Sequence, residues 1–244
     1  MKKVTFSSLF VSLALLCGGS AVGWAIAGKL AGNEAGSDFL CLSIVLMSPI
    51  YLAQVVLFFI SRTRLFLQLA FISVFGFSLL WFMLSLSLPI LWIVEVGQPL
   101  KMITVFFTVL LFAIKGYEGI RVFEETWARK RGSITMHYNP DRHILDWEKF
   151  LKSFQLSFSL FPSGVPVWMG RILTVVLVLS MIVGLNLRKV YPIPSIFAWG
   201  IPCLVASSVL IQIMAVNILQ AVKVMQLEKA MGVKIEALGS SETG

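Results

Sequence analysis

Six long apolar runs divide the chain, over 4–27, 39–60, 65–94, 102–114, 169–187 and 195–219. A helix needs about 20 apolar residues to cross the hydrocarbon core of a bilayer, and most of these runs reach or approach that length. The third is too long to cross straight, so it tilts or ends its regular part near Pro89. The fourth is short, but Lys101 and Lys115 flank it, and lysine stems can snorkel to either interface. The pattern predicts an all-α polytopic membrane protein with six transmembrane helices. External loops are expected at about 28–38, 95–101 and 188–194. The turn Ser61-Arg62-Thr63-Arg64 joins the second and third helices as a hairpin.

The polar stretches carry their own patterns. After the fourth run, LFAIKGYEGIRVFEETWARKRG has no helix breaker before Gly132, so the helix is expected to continue past the membrane and end there. Glu125 and Arg129 stand at i,i+4 on it in the favourable order. SITMHYNPDRHILDW follows, with Asn139-Pro140-Asp141 as turn chemistry. A four-residue loop at Asn139–Arg142 sets Tyr138 opposite His143, His137 opposite Ile144, Met136 opposite Leu145 and Ile134 opposite Trp147. One face of that hairpin then collects Ile134, Met136, Tyr138, His143, Leu145 and Trp147, and the other is mostly polar. Beyond it, Trp147, Phe150, Leu151 and Phe154 fit a helix, whereas 154–160 alternates and favours an extended piece. The segment 133–168 is too short to be stable alone and must borrow core from the bundle, from lipid or from another protein. Past 220 the last helix can extend into water through Ala237, with Gly232 weakening or ending it.

Composition agrees with the membrane class: 58% of residues are hydrophobic and 13% charged. The net charge of +8 is a matter of sidedness rather than of nucleic acid, since no sustained basic face carries interleaved aromatics. With the amino terminus inside, all Lys and Arg except Lys29, Lys101, Arg188 and Lys189 fall on the cytosolic side. That bias predicts a cytoplasmic (inner) membrane protein with both termini cytosolic. Its parts are helices one to four over 1–114, a cytosolic helix extension and hairpin loop over 115–168, helices five and six over 169–219, and a cytosolic tail over 220–244. MKK before an apolar run, with Ala25-Ile26-Ala27, resembles a secretory signal, but the run exceeds the roughly 7–15 residues of a signal core, so a retained helix is expected.

Candidate chemistry is sparse. His137 and His143 stand near Asp141 and Asp146, yet the hairpin register sends the histidines to opposite faces, away from a shared metal. Cys17, Cys41 and Cys203 lie in apolar runs and form no C-x-x-C. No phosphate-binding loop, nucleophile elbow or H-E-x-x-H occurs. No charged residue falls at the centre of a run. Gln54, Gln212 and Asn217 are the strongest polar positions there, and Ser73, Ser78, Ser85 and Ser87 form a row on the third helix. Gly19, Gly23 and Ala27 make a small-residue face, suited to close packing within the chain or against another. Arg129, Lys130 and Arg131 suit a helix C-terminus and also anionic headgroups.

The expected function is therefore a non-enzymatic accessory, assembly or protective membrane subunit without a cofactor, meeting the lipid bilayer and a protein partner or a second copy. Its candidate partner or lipid contacts are Arg129, Lys130, Arg131, Ile134, Met136, Tyr138, Leu145 and Trp147. The alternatives are a channel or uncoupled small-solute transporter and, more remotely, an enzyme using His137 or His143.

Overall fold

The computed structural model describes residues 6–61, 64–130, 132, 134, 138–139, 144–152, 154, 158, 160–161, 164–232 and 234–237. Its helices are α1 (Phe6–Ala31), α2 (Asn33–Ile60), α3 (Leu65–Ser85), α4 (Gln98–Lys130), α5 (Trp147–Lys152), α6 (Val167–Leu187) and α7 (Pro192–Met231). All but α5 are long and apolar enough to cross a membrane. Three two-residue strands, β1 (Tyr138–Asn139), β2 (Ile144–Leu145) and β3 (Glu236–Ala237), complete the described structure.

The first reversal is tighter than the sequence pattern suggests. In place of a loop over 28–38, Gly32 alone separates α1 from α2, at φ 97° and ψ 164°. Only glycine occupies that region at low cost. Gly28 and Gly36 then let the two backbones touch: a Cβ on Gly36 would stand 3.1 Å from the Gly28 Cα. The helix beginning at Leu65 does not tilt through to Val94 but ends at Ser85, four residues before the expected break at Pro89. Pro89 has no N–H to donate to the Ser85 carbonyl, four residues back. The chain tightens instead, with Ser87 N donating to Leu84 O and Trp92 N to Pro89 O, and a 3-10 turn spans Leu88–Leu91.

Helices α4 and α7, of 33 and 40 residues, exceed any bilayer crossing. At 1.5 Å per residue they measure about 50 and 60 Å against a core of about 30 Å. The extension of the fourth helix thus runs unbroken to Lys130. Helix α7 extends to Met231, and Gly232 ends it, as one reading of the sequence allows: it adopts the left-handed conformation (φ 66°) and turns the chain back. Ile235 O then accepts from Leu65 N, and β3 runs parallel to β2, pairing Ile144 with Glu236 and Leu145 with Ala237.

Helix α7 packs against α3, α4 and α6, and α1 packs against α2 and α3. Three apolar clusters result. Leu16, Ala27, Phe39 and Trp81 join α1, α2 and α3. Ile90, Ile93, Val96 and Ile196 close one end of the bundle. The largest cluster closes the other end, where α4 and α7 project and the segment linking α4 to α6 folds over them.

Candidate functional site

That capped end is built from aromatic rings. Trp127, near the end of α4, meets Trp147 and Phe150 of α5 and Phe154 just beyond it, with centroids 5.9–6.3 Å apart. Phe150 and Phe154 lie 4.9 Å apart edge to face, a favoured aromatic geometry. The Trp147 indole N–H donates to Gln220 Oε1 at 3.2 Å, so the buried ring keeps a polar partner. Below them Ile134, Leu145, Trp147, Phe150 and Phe154 share one core with Leu65, Leu69, Phe123, Val216, Val224 and Ile235.

This arrangement answers what covers the apolar side of the linking segment. Ile134, Leu145 and Trp147, expected to meet a partner or lipid, are sealed by the chain's own α3, α4 and α7. Tyr138 is half-buried against the same core. The pairing register also differs from expectation: Tyr138 faces Leu145 and Asn139 faces Ile144. A shift of two residues preserves parity, so Tyr138 and Leu145 share a face, as expected. Trp147 is not a strand residue opposite Ile134 but the first residue of α5. Phe154 lies in a turn, and 155–157 and 159, where an extended piece is expected, lie outside the described residues. Arg131, Met136, His137 and His143 lie outside the described residues, and so does the expected separation of the two histidines. Arg129 and Lys130 are exposed at the end of α4. Glu125 pairs with Arg121 at 3.7 Å, whereas Arg129 Nε donates to the Glu125 backbone carbonyl at 3.3 Å.

The polar centre of this end is one that the sequence pattern conceals. Lys115, expected to snorkel to an interface, is completely buried, and Glu118 is only 8% exposed. Lys115 Nζ stands 3.1 Å from Glu118 Oε2 and donates to the Phe161 carbonyl at 2.7 Å. One turn of α4 presents both charges, and the chain that returns from the aromatic cap closes over them. Gly119 explains how α7 comes so near: a Cβ there would lie 2.8 Å from Gln212 O. The signal in the sequence is Lys115-Gly116-Tyr117-Glu118-Gly119, opposite charges at i,i+3 interleaved with glycines. It is easily missed, because the covering carbonyl lies 46 residues away. Chemically the pair is a charged staple between α4 and the linking segment. Among the described residues, no three or more His, Cys, Asp or Glu converge on a metal position.

The polar residues between the helices act as stitches. Ser12 Oγ donates to Gln54 Oε1, Gln54 Nε2 donates to Ser78 Oγ at 2.7 Å, and Ser78 lies 2.6 Å from Ser12 Oγ. If Ser78 gives its proton to Ser12, these three close a ring joining α1, α2 and α3. Gln54 Nε2 also reaches Val74 O at 3.0 Å. Ser73 and Ser85 bond back to their own helix, at Leu69 O and Trp81 O, and Ser87 reaches Gly200 O on α7. The serine row is thus buried in helix contacts, with Ser87 just beyond the end of α3. Gln212 is buried and Asn217 half-buried on α7. The small-residue face of α1 is used inside the chain. A Cβ on Gly19 would stand 2.9 Å from the Phe82 Cα, one on Gly23 would enter the Phe39 ring, and Ala27 is fully buried. No family model matches this chain, and neither a curated protein nor a solved structure matches it.

Proposed function

We propose that this protein is a non-enzymatic integral subunit of the cytoplasmic (inner) membrane, with both termini, the short hairpin and the aromatic cap on the cytosolic side, and that it acts by packing its helices against a partner. The observation that carries this reading is α6. Of its 21 residues Gly184 alone is buried. The helix is seated on α7 along one side, where a Cβ on Gly184 would lie 2.7 Å from the Ala198 Cβ and where Ser180 Oγ donates to Ala198 O at 3.1 Å.

Helices associate in lipid through small residues and a few hydrogen bonds rather than through apolar area. α6 has spent those features on α7, which fixes its position and leaves the rest of its circumference free. The cap, in contrast, has consumed its apolar face internally, so the helices are the more suitable partner surface. The serines of α3 serve internal contacts, which favours a packing role over a channel.

Photo-crosslinking residues placed at Val176 and Ile182, both exposed, test the proposal in the native membrane. A discrete protein adduct at these positions, absent when the probe replaces Gly170 near the start of the helix, is the expected result. A monodisperse monomer after mild-detergent purification, with no adduct at either position, would refute it.

A further inference from the structure

At the end of the bundle opposite the cap, the last turns of α1, the α6–α7 turn and the first turns of α7 enclose a cavity of about 520 Å³. Small-molecule sites typically occupy about 300–1,000 Å³. Three basic residues line it: Lys29 near the end of α1, and Arg188 and Lys189 from the turn. They are three of the four Lys and Arg that the charge bias leaves away from the capped end. Among the described residues none of the three side chains has an ion-pair or hydrogen-bond partner. Three uncompensated cations around one apolar cavity repel one another, so an anion is favoured there.

Two further groups point to an occupant. Ser195 is 3% exposed, and its Oγ has no hydrogen-bond partner. The indole Nε1 of Trp199, one turn further along α7, is buried and likewise without a partner. Both residues line the same cavity. A buried donor left unpaired is costly, and native structures seldom leave such donors without a partner. The remaining wall is apolar and includes Val22, Ile26 and Ile196.

The cations lie above the other groups. The cations sit where α1 ends and α7 begins. Ser195 and Trp199 lie about 5–10 Å further along α7, at 1.5 Å per residue. Ile26 and Val22 lie one and two turns below Lys29 along α1. Charge at the mouth, with neutral donors and hydrocarbon side by side below it, suits a phospholipid, whose phosphate lies above its ester carbonyls and acyl chain. We propose that this cavity binds one anionic phospholipid, its headgroup held by Lys29, Arg188 and Lys189, its ester oxygens by Ser195 and Trp199, and its acyl chain along α1. A soluble phosphate offers the same anionic chemistry but leaves the apolar wall and the deeper donors unused.

The test is native mass spectrometry of the full chain, released from nanodiscs containing equal amounts of palmitoyl-oleoyl phosphatidylglycerol and phosphatidylcholine. One retained phosphatidylglycerol per chain, in clear excess over phosphatidylcholine, is expected. Substituting Lys29→Gln, Arg188→Gln and Lys189→Gln together should lower its retention at least about tenfold, from roughly 1 kcal/mol per basic residue at a membrane surface. Because these side chains are exposed, the variant keeps its fold. Ser195→Ala provides a second, smaller loss. Arg129→Gln with Lys130→Gln, at the opposite end, should leave retention unchanged. Equal retention of the two lipids would overturn the proposal, and so would an equal loss in the Arg129 and Lys130 control. Displacement of the lipid by millimolar inorganic phosphate would overturn it in favour of a soluble anion.

Discussion

Lys115 and Glu118 set the energetic problem at the scale of single residues. Removing two charges from water is costly, and their attraction offsets the cost only while both are present. Replacing one partner of a buried pair therefore destabilises more than replacing both. Glu118→Leu and Lys115→Met should each lower unfolding free energy by about 3–5 kcal/mol, and the two changes combined should recover part of the loss. Unfolding by denaturing detergent in bicelles measures this, and additive single losses in the double variant would contradict the coupling. The Ser12–Gln54–Ser78 ring is of a different kind. It is neutral and internally satisfied. Interhelical hydrogen bonds of this type contribute about 0.6 kcal/mol each in a membrane, because the separated helices also find partners.

At the scale of elements, the connections decide the geometry. Gly32 reverses the chain within one residue, and the α1–α2 hairpin depends on a backbone conformation that other residues avoid. Gly32→Ala should cost about 1–3 kcal/mol, although nothing lies within 4 Å of the added methyl group. A lowered thermal midpoint in detergent, with helical content unchanged, is the expected result; an unchanged midpoint would mean that the turn relaxes at no cost. The existence of this hairpin could be read from two apolar runs with glycines between them. Its tightness could not, because Asn33, Glu34, Ser37 and Asp38 look like loop residues when only polarity is considered. They are helical because they form the polar first turns of α2. The end of α3 was half readable: Pro89 marked the break, but the helix stops four residues earlier, at the carbonyl that proline leaves without a donor.

For the whole molecule, the charge bias bears on sidedness and α7 on compactness. If the capped end is cytosolic, a cysteine at Gly97 or Val190 should react with an impermeant maleimide added outside intact cells, and one at Arg129 only after the membrane is opened. Labelling of Arg129→Cys in intact cells would invert the topology. Helix α7 is the organising element at this scale. It contacts α3, α4 and α6 and extends beyond the bilayer to meet the cap. Its mid-section is correspondingly rich in buried positions, whereas α6 has one.

The sequence by itself determined the six apolar helices, the long extension of α4 and the amphipathic character of the segment after it. Each follows from local hydrophobicity, from the spacing of apolar positions or from the absence of a helix breaker, and none needs a distant contact. Tertiary structure decided the rest. It turned Ile134, Leu145 and Trp147 from an available surface into core, because α4 and α7 outrun the bilayer and leave a ledge for those side chains to cover. It buried Lys115, because the Phe161 carbonyl comes back over α4 from 46 residues away. It gathered Lys29, Arg188 and Lys189 around one cavity, because helices far apart in sequence end at the same level of the bundle. Charge and polarity are written residue by residue along the chain, but whether a given group meets water, lipid or another side chain depends on which helices pack together.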